Sequence, residues 1–294
     1  MTMYIDNSVK NLYNNVRNGR KIKMQPKFSK YVYDEKCTYK HAKGTSAYPS
    51  REFHNYHEIL LFVGGQTTFL SEEKRIPLSP YQVVIIPKET YHQFINEKDE
   101  EYHRCVFSFY DIPEIEELIC KCMSHTRVIE ASQEQKMLFH KMNETVDSDS
   151  SDAEKQILMH ALLAIILSEI SRDHSTVKEG SKPSEITSKS IEMINAELCN
   201  RISIPALSKK LNVSVSTLTQ TFKKDMNISV YQYILRKKLV LAQQKIQDGE
   251  SATTAAMLCG FNDYSSFYKQ YKKMFGVSPS EKAVRFDAQP TIKL

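Results

Sequence analysis

Two stretches in the last third of this 294-residue chain follow one plan, and that repetition constrains the fold more than any other feature. Each reads as a short helix, a turn, and a longer helix carrying Phe or Tyr ahead of Lys-Lys. In the first, IPALSKKLNVSVSTLTQTFKKDMNIS, Pro205 suits a first helical turn, where its missing N–H costs little. Ala206, Leu207 and Leu211 make an apolar face, and Asn212 to Ser214 interrupt the helix. Ser214 is then an N-cap for a second helix with Leu218 and Phe222 four residues apart, leaving Ser216, Thr217, Thr219, Gln220 and Lys223 on other faces. The second stretch, SATTAAMLCGFNDYSSFYKQYKKMFGVSPSEKA, repeats this logic. Ala252 to Leu258 form the short helix, Gly260 serves a turn needing positive φ, and Asn262 or Asp263 caps the next helix. Phe267, Tyr271 and Phe275 are its buried stripe, with Tyr264, Ser265, Tyr268, Lys269 and Lys272 pointing elsewhere. Between the units, YQYILRKKLVLAQQKI reads as one connecting helix. Residues 185–294 are therefore expected to form an all-α domain of two helix-turn-helix units.

The remainder is patterned differently, and the length favours two domains at about 150 residues each. From Phe53 to Phe109 apolar residues come in short runs (ILLFV, VVII, CVFSF) separated by turn-like stretches, which suits a β-sandwich or barrel. Ala153 to Arg172 then reads as a long helix with a broad stripe through Ile157, Leu158, Ala161, Leu162, Ile165, Ile166 and Ile170. Residues 173–184 lack an apolar period and contain Gly and Pro, so they are assigned as linker between a domain of residues 1–172 and the helical domain. The expected class is α+β multidomain: a β-barrel or sandwich followed by helices, then the all-α domain. No run of about eighteen apolar residues occurs and the N-terminus is polar, so a cytoplasmic protein without membrane span or signal peptide is expected. Six scattered cysteines are read as reduced, and the Cys120-x-Cys122 pair lacks a second pair to complete a zinc site.

The net charge of +5 is unevenly placed, since residues 185–294 hold 16 Lys and Arg against nine Asp and Glu, leaving 24 against 26 upstream. A polyanion partner and a merely solvated lysine-rich surface both fit that balance. The helix faces say more: hydroxyls, amide and lysine displayed on an amphipathic helix suit major-groove reading, and two such helices about 34 Å apart would meet successive groove faces. The segments GFNDYSSFYKQYKKMFGVSPS and SVSTLTQTFKKDMNISVYQYILRKKLVLAQQKI resemble the AraC-type (AraC/XylS) transcription regulators over about residues 186–285. Gly260-Phe261, Asp263, Phe267, Lys272-Lys273, Phe275-Gly276 and Pro279 all stand at the family's spacing. The resemblance implies base contacts from Ser216, Thr219, Gln220, Tyr264, Ser265, Tyr268 and Lys269, and phosphate contacts from Lys223, Lys224, Lys272 and Lys273. It also implies double-stranded promoter DNA as a partner, with RNA polymerase as a further one. Three positions depart from it. Asn227 replaces a glycine but tolerates the left-handed conformation, Lys282-Ala283 stand where Tyr-Arg is usual, and Gln220 takes a slot commonly Arg, favouring adenine over guanine.

Upstream, FHNYHEILLFVGGQTTFL and LSPYQVVIIPKETYHQFIN resemble the two cupin motifs, with His54, His57 and Glu58 in the first and Pro87, Glu89, His92 and Asn96 in the second. Tyr81 occupies a glycine slot, and His-x-x-His-Glu replaces the tighter His-x-His of cupin enzymes, whose equivalent residues bind metal. The expectation is a sensor domain with no catalytic residue, metal or cofactor, taking a small polar effector such as a sugar against His54, His57, Glu58, Gln66 and His92. A divalent metal on the same imidazoles and carboxylate, or a metal-dependent cupin enzyme fused to a DNA-binding domain, stays open as the alternative. The width of the Ala153–Arg172 stripe points to a homodimer.

Overall fold

The computed structural model describes residues 26–45, 50–96, 101–173, 175, 180–200 and 202–281. Among the described residues ten strands are formed, the last after a helix: β1 (Pro26–Tyr33), β2 (Cys37–Thr45), β3 (Ser50–Glu52), β4 (His57–Gly64), β5 (Thr67–Ser71), β6 (Arg75–Leu78), β7 (Gln82–Ile86), β8 (His92–Asn96), β9 (Glu101–Phe109) and β10 (Arg127–Glu130). They form a six-stranded sheet in the order β1-β2-β9-β4-β7-β10 and a four-stranded sheet β3-β8-β5-β6, every pairing antiparallel. The short-run pattern of the sequence is that of a sandwich. Its period of two sets which face each side chain meets. Leu60, Phe62, Phe69, Val84, Ile86, Phe94 and Val106 fill the space between the sheets, whereas Ile59, Leu61, Val83, Ile85 and Phe107 point the other way.

That second face is covered by helices α1 (Glu116–Cys122), α2 (Gln133–Asp147) and α3 (Asp152–Arg172). The last two each start on a capping box, at Ser132 with Gln135 and at Ser151 with Glu154, which satisfies otherwise orphaned N–H groups. Met159, Leu162, Leu163, Ile166, Leu167 and Ile170 of α3 are buried, but Ile157, Leu158 and Ile165 stay exposed at 69%, 39% and 47%. Half of the broad stripe therefore serves the sheet and half faces outward.

The chain then runs along the edge of the smaller sheet, where Ser181 and Arg75 exchange both backbone hydrogen bonds at 2.9 and 3.0 Å. Six helices follow: α4 (Glu185–Ala196), α5 (Ile204–Lys210), α6 (Val215–Met226), α7 (Val230–Gln247), α8 (Ala252–Leu258) and α9 (Tyr264–Phe275). α5-α6 and α8-α9 are the two helix-turn-helix units, with α7 between them. Pro205 lies in the first turn of α5, Ser214 caps α6, and Asp263, of the two candidates, caps α9 by accepting from the Ser266 N–H at 2.7 Å. Asn227 closes α6 in the left-handed region at φ +55°, the role a glycine plays at the end of α9, where Gly276 has φ +75°. Lys282 and Ala283 lie outside the described residues.

Candidate nucleic-acid interface and buried sensor cluster

Helices α6 and α9 are amphipathic in the same sense. Leu218, Phe222 and Met226 of α6, and Phe267, Tyr271, Met274 and Phe275 of α9, are buried, and burying each such side chain is worth about 1.5–3 kcal/mol. Opposite them, Ser216, Gln220, Lys223 and Lys224 on α6 and Tyr264, Ser265, Lys269, Lys272 and Lys273 on α9 are exposed, with Thr219 and Tyr268 partly covered. Two polar groups are already engaged. Thr219 donates its hydroxyl to the Val215 carbonyl at 2.9 Å, so it offers a methyl group and an acceptor outward rather than a donor. Gln220 donates to the Ser216 hydroxyl at 3.3 Å, which steadies its amide one turn away.

Charge in this domain is less available than the sequence count suggests. Arg236, Lys237 and Lys238 of α7 are 8%, 7% and 7% exposed and are structural. Lys238 donates to the carbonyls of Asn200 at 2.8 Å and Gly260 at 3.3 Å, tying the connecting helix to the turn of the second unit. Gly260 needs its freedom on two counts: its φ is +69°, and a Cβ there would lie 2.8 Å from both the Cys199 carbonyl and the Lys238 ammonium.

In the sandwich, three of the five expected effector contacts meet. His54, Glu58 and His92 converge between the sheets, and Glu52, which sequence reasoning missed, joins them. Glu52 reaches the site because it pairs directly with His92 across β3 and β8, a long-range register with no local signal. The ligand atoms of these four lie within 4.8 Å of one another, close enough for one ion to span them. His57 does not belong, since consecutive strand residues face opposite ways. Its ring turns to the helix side, where Nδ1 accepts from the Lys88 N–H at 3.0 Å and Nε2 donates to Asp111 at 3.1 Å. Burial lowers His57 despite the pull of Asp111, and Asp111 is held far below the carboxylate range first by His57 and then by Lys88. Gln66 is exposed in the turn between β4 and β5, at the other end of β4.

Electrostatically the carboxylates and the His92 imidazole support one another's charge. Burial alone would depress His92, but Glu52 and Glu58 outweigh it and push the imidazole up to about 10. Burial likewise opposes charge on the carboxylates, yet His92 brings Glu52 down to about 2, and His54 and His92 hold Glu58 well below its usual range. The two left-handed non-glycine residues of this region, Tyr81 and Glu89, stand at φ +66° and +61°; Tyr81 is the residue in the glycine slot.

The alternate residues face outward and hold the helical domain. Phe53 and Tyr91 are buried in the core of that domain. The Tyr91 hydroxyl donates to the Met226 carbonyl at 3.0 Å, Asn55 donates to Gln244 at 3.1 Å and Gln247 at 2.7 Å, and Asn227 donates to Gln93 at 3.3 Å. Glu72 accepts from Tyr233 at 2.7 Å and from Lys237 at 3.2 Å. None of these contacts was foreseen from sequence.

Comparison with known proteins agrees with this division. An AraC-like ligand binding domain model matches residues 37–163, and a helix-turn-helix domain model matches residues 207–283. The probable transcriptional regulator LumQ of Photobacterium leiognathi is 36% identical over 31% of this chain and 41% of its own length. The Msm operon regulatory protein of Streptococcus mutans is 27% identical over 42% of this chain and 44% of its own. The chain thus spans less than half the length of these curated relatives. Among solved structures, ToxT of Vibrio cholerae O395 aligns with 86% of this chain and 99% of its own at 11% identity, with a TM-score of 0.39, a likeness too loose to argue from. A sandwich that matches a ligand binding domain model, followed by paired helix-turn-helix units, defines a two-domain class. The chain belongs to the AraC-type family within it.

Proposed function

We propose that this chain is a ligand-responsive, sequence-specific DNA-binding transcription regulator of the cytoplasm, not an enzyme. One observation carries the reading: two helices on either side of a shared connecting helix each set a buried aromatic or aliphatic stripe against an exposed face of hydroxyls, amide and lysines. Ser216, Thr219, Gln220, Tyr264, Ser265, Tyr268 and Lys269 read base edges, while Lys223, Lys224, Lys272 and Lys273 neutralise phosphates and set the salt dependence. The face of Gln220 matches adenine, and the Thr219 methyl suits the methyl of thymine.

An in vitro selection of DNA sites tests this. Gln220→Ala and Lys269→Ala are each expected to relax preference at one position of the selected site by about 1–3 kcal/mol. Unaltered affinity and preference in both variants would refute the assignment of α6 and α9 as reading helices. Homodimerisation belongs to the same reading, supported by the outward apolar side chains Met137, Ile157, Leu158 and Ile165 on α2 and α3, 68%, 69%, 39% and 47% exposed. Size-exclusion with light scattering at micromolar concentration is expected to give a dimer that Ile157→Asp with Ile165→Asp converts to monomer; a wild-type monomer would remove the dimer from the reading.

A further inference from the structure

The ligand geometry of Glu52, His54, Glu58 and His92 differs from that of an ordinary buried ion-pair cluster. His54 Nε2 lies 3.3 Å from Glu58 Oε2, and His92 Nε2 lies 3.3 Å from the same oxygen and 3.4 Å from Glu52 Oε2. Hydrogen bonds of this kind centre on about 2.9 Å. Both Nε2 atoms are fully buried and make none, despite their nearness to carboxylates. Four ligands around a tetrahedral ion at about 2.0–2.1 Å stand roughly 3.3–3.4 Å apart. These three separations fall in that range.

The surroundings prepare the same atoms. Nδ1 of His54 sits 2.7 Å from the Tyr56 carbonyl, and Nδ1 of His92 sits 3.1 Å from that of Thr90. A carbonyl only accepts, so each Nδ1 carries a hydrogen, and a metal ion that displaces any proton from Nε2 meets that atom's electron pair. Ser108 donates to Oε1 of Glu58 at 3.0 Å, which turns Oε2 toward the imidazoles. Two imidazoles and two carboxylates form an N/O set suited to a divalent first-row transition ion, and four protein ligands make a closed site rather than a catalytic one with an open position.

We propose that Glu52, His54, Glu58 and His92 bind one divalent first-row metal ion, and that its occupancy fixes the contact between the sandwich and the DNA-binding helices. The second half follows from the alternation of side chains where the chain leaves β3 and enters β8. Phe53 and Asn55 lie between and beside the ligands Glu52 and His54, and Tyr91 and Gln93 flank His92. Those four residues hold α6 and α7. An ion that draws β3, β4 and β8 together therefore sets the positions of the groups that seat the connecting helix. This deepens the regulator reading and rests on it for its effect on DNA.

The full-length chain, freed of any affinity tag, is stripped with chelator, dialysed against Zn²⁺, Mn²⁺ or anaerobic Fe²⁺, and its bound metal counted by plasma mass spectrometry. One equivalent of at least one ion is expected, with the dissociation constant raised about tenfold or more by Glu52→Gln and by His92→Gln. Should those variants not fold, Ser108→Ala, which removes no ligand, is expected to weaken binding about tenfold. On the selected DNA site, loaded and stripped wild type should differ in affinity by about fivefold or more, and Tyr91→Phe should keep metal uptake while losing most of that difference. Failure to take up any of the three ions overturns the site, and full uptake with unchanged DNA affinity overturns the coupling. Metal uptake by a chain that selects no DNA sequence would support the site and defeat the regulator reading instead.

Discussion

Removing the carboxylate of Glu72 should separate the two domains before it unfolds either. Glu72 lies in the turn between β5 and β6, and its Oε1 accepts from the Tyr91 N–H at 3.1 Å, the Tyr233 hydroxyl at 2.7 Å and the Lys237 ammonium at 3.2 Å. The ion pair is nearly dry, with side chains 8% exposed for Lys237 and 14% for Glu72. At 3.2 Å and an effective dielectric of about 20, the attraction is roughly 5 kcal/mol before desolvation is charged against it. Taking away one partner of such a pair strands the other and costs about 3–5 kcal/mol. Lys237 would keep Asn195 at 2.6 Å, the Tyr233 hydroxyl at 3.4 Å, and the rings of Phe53 and Tyr233 at 5.2 and 5.4 Å. Glu72→Ala is therefore expected to cost about 3–5 kcal/mol. Glu72→Gln, which retains an acceptor of the same shape, should cost about 1.5–3 kcal/mol. Because the pair joins two domains, the loss should appear in urea titrations as a split transition, the helical domain melting first. A cycle with Lys237→Met should give a coupling of about 1–3 kcal/mol. If Glu72→Ala stays within about 0.5 kcal/mol of wild type and melts in one coincident transition, the pair does not hold the domains together.

Two further outcomes follow from the helical domain. Gly260→Ala should lower stability by more than about 2 kcal/mol in the same titration, because the left-handed backbone alone costs about 1–2 and the new Cβ meets a backbone carbonyl at 2.8 Å. Asp225 accepts from the Ser184 N–H at 2.9 Å and from the hydroxyls of Ser184 at 2.6 Å and Thr187 at 2.7 Å, anchoring α4 to α6. Burial opposes its charge, but these donors hold its carboxyl below the usual range. A depressed value contributes stability above the ordinary value of about 3.9 and loses it as pH falls through the folded one. Thermal midpoints of wild type and Asp225→Asn should thus differ by a constant amount from pH 7 to about 5 and converge below about 4. A gap that persists unchanged at pH 3 would show the carboxylate contributes nothing through its charge.

The helix-turn-helix units were legible in the sequence because everything that defines them is local. Caps at Ser214 and Asp263, left-handed positions at Asn227 and Gly276 and an aromatic repeat of three to four residues all act within one or two turns. The sandwich was legible as a class for a similar reason. Its site was legible only in part. His54, Glu58 and His92 carry a motif, but strand parity assigns His57 to the opposite face, a consequence that its adjacency to Glu58 already held. Glu52 gave no such sign, since it enters through pairing with His92 forty residues away. Charge counting misled in one respect, because Arg236 to Lys238 look like part of a basic surface and are buried.

Those buried cations explain why the connecting helix is more than a spacer. Lys238 fastens it to Gly260 of the second unit, and Lys237 fastens it to Glu72 of the sandwich. Adjacent residues of one rigid helix thus reach the turn beneath one reading helix and the sheet that carries the buried cluster. A shift of α7 relative to the sandwich cannot leave the second unit behind, since Lys238 travels with it. On the sandwich side the same rigidity applies through β8, where His92 faces inward and Tyr91 and Gln93 flank it outward. The path from cluster to reading helix is therefore short: one residue ahead of β8, one hydrogen bond to the end of α6, and one helix to α9. A displacement of His92 would therefore pass along a lever whose other end carries the exposed face of α9.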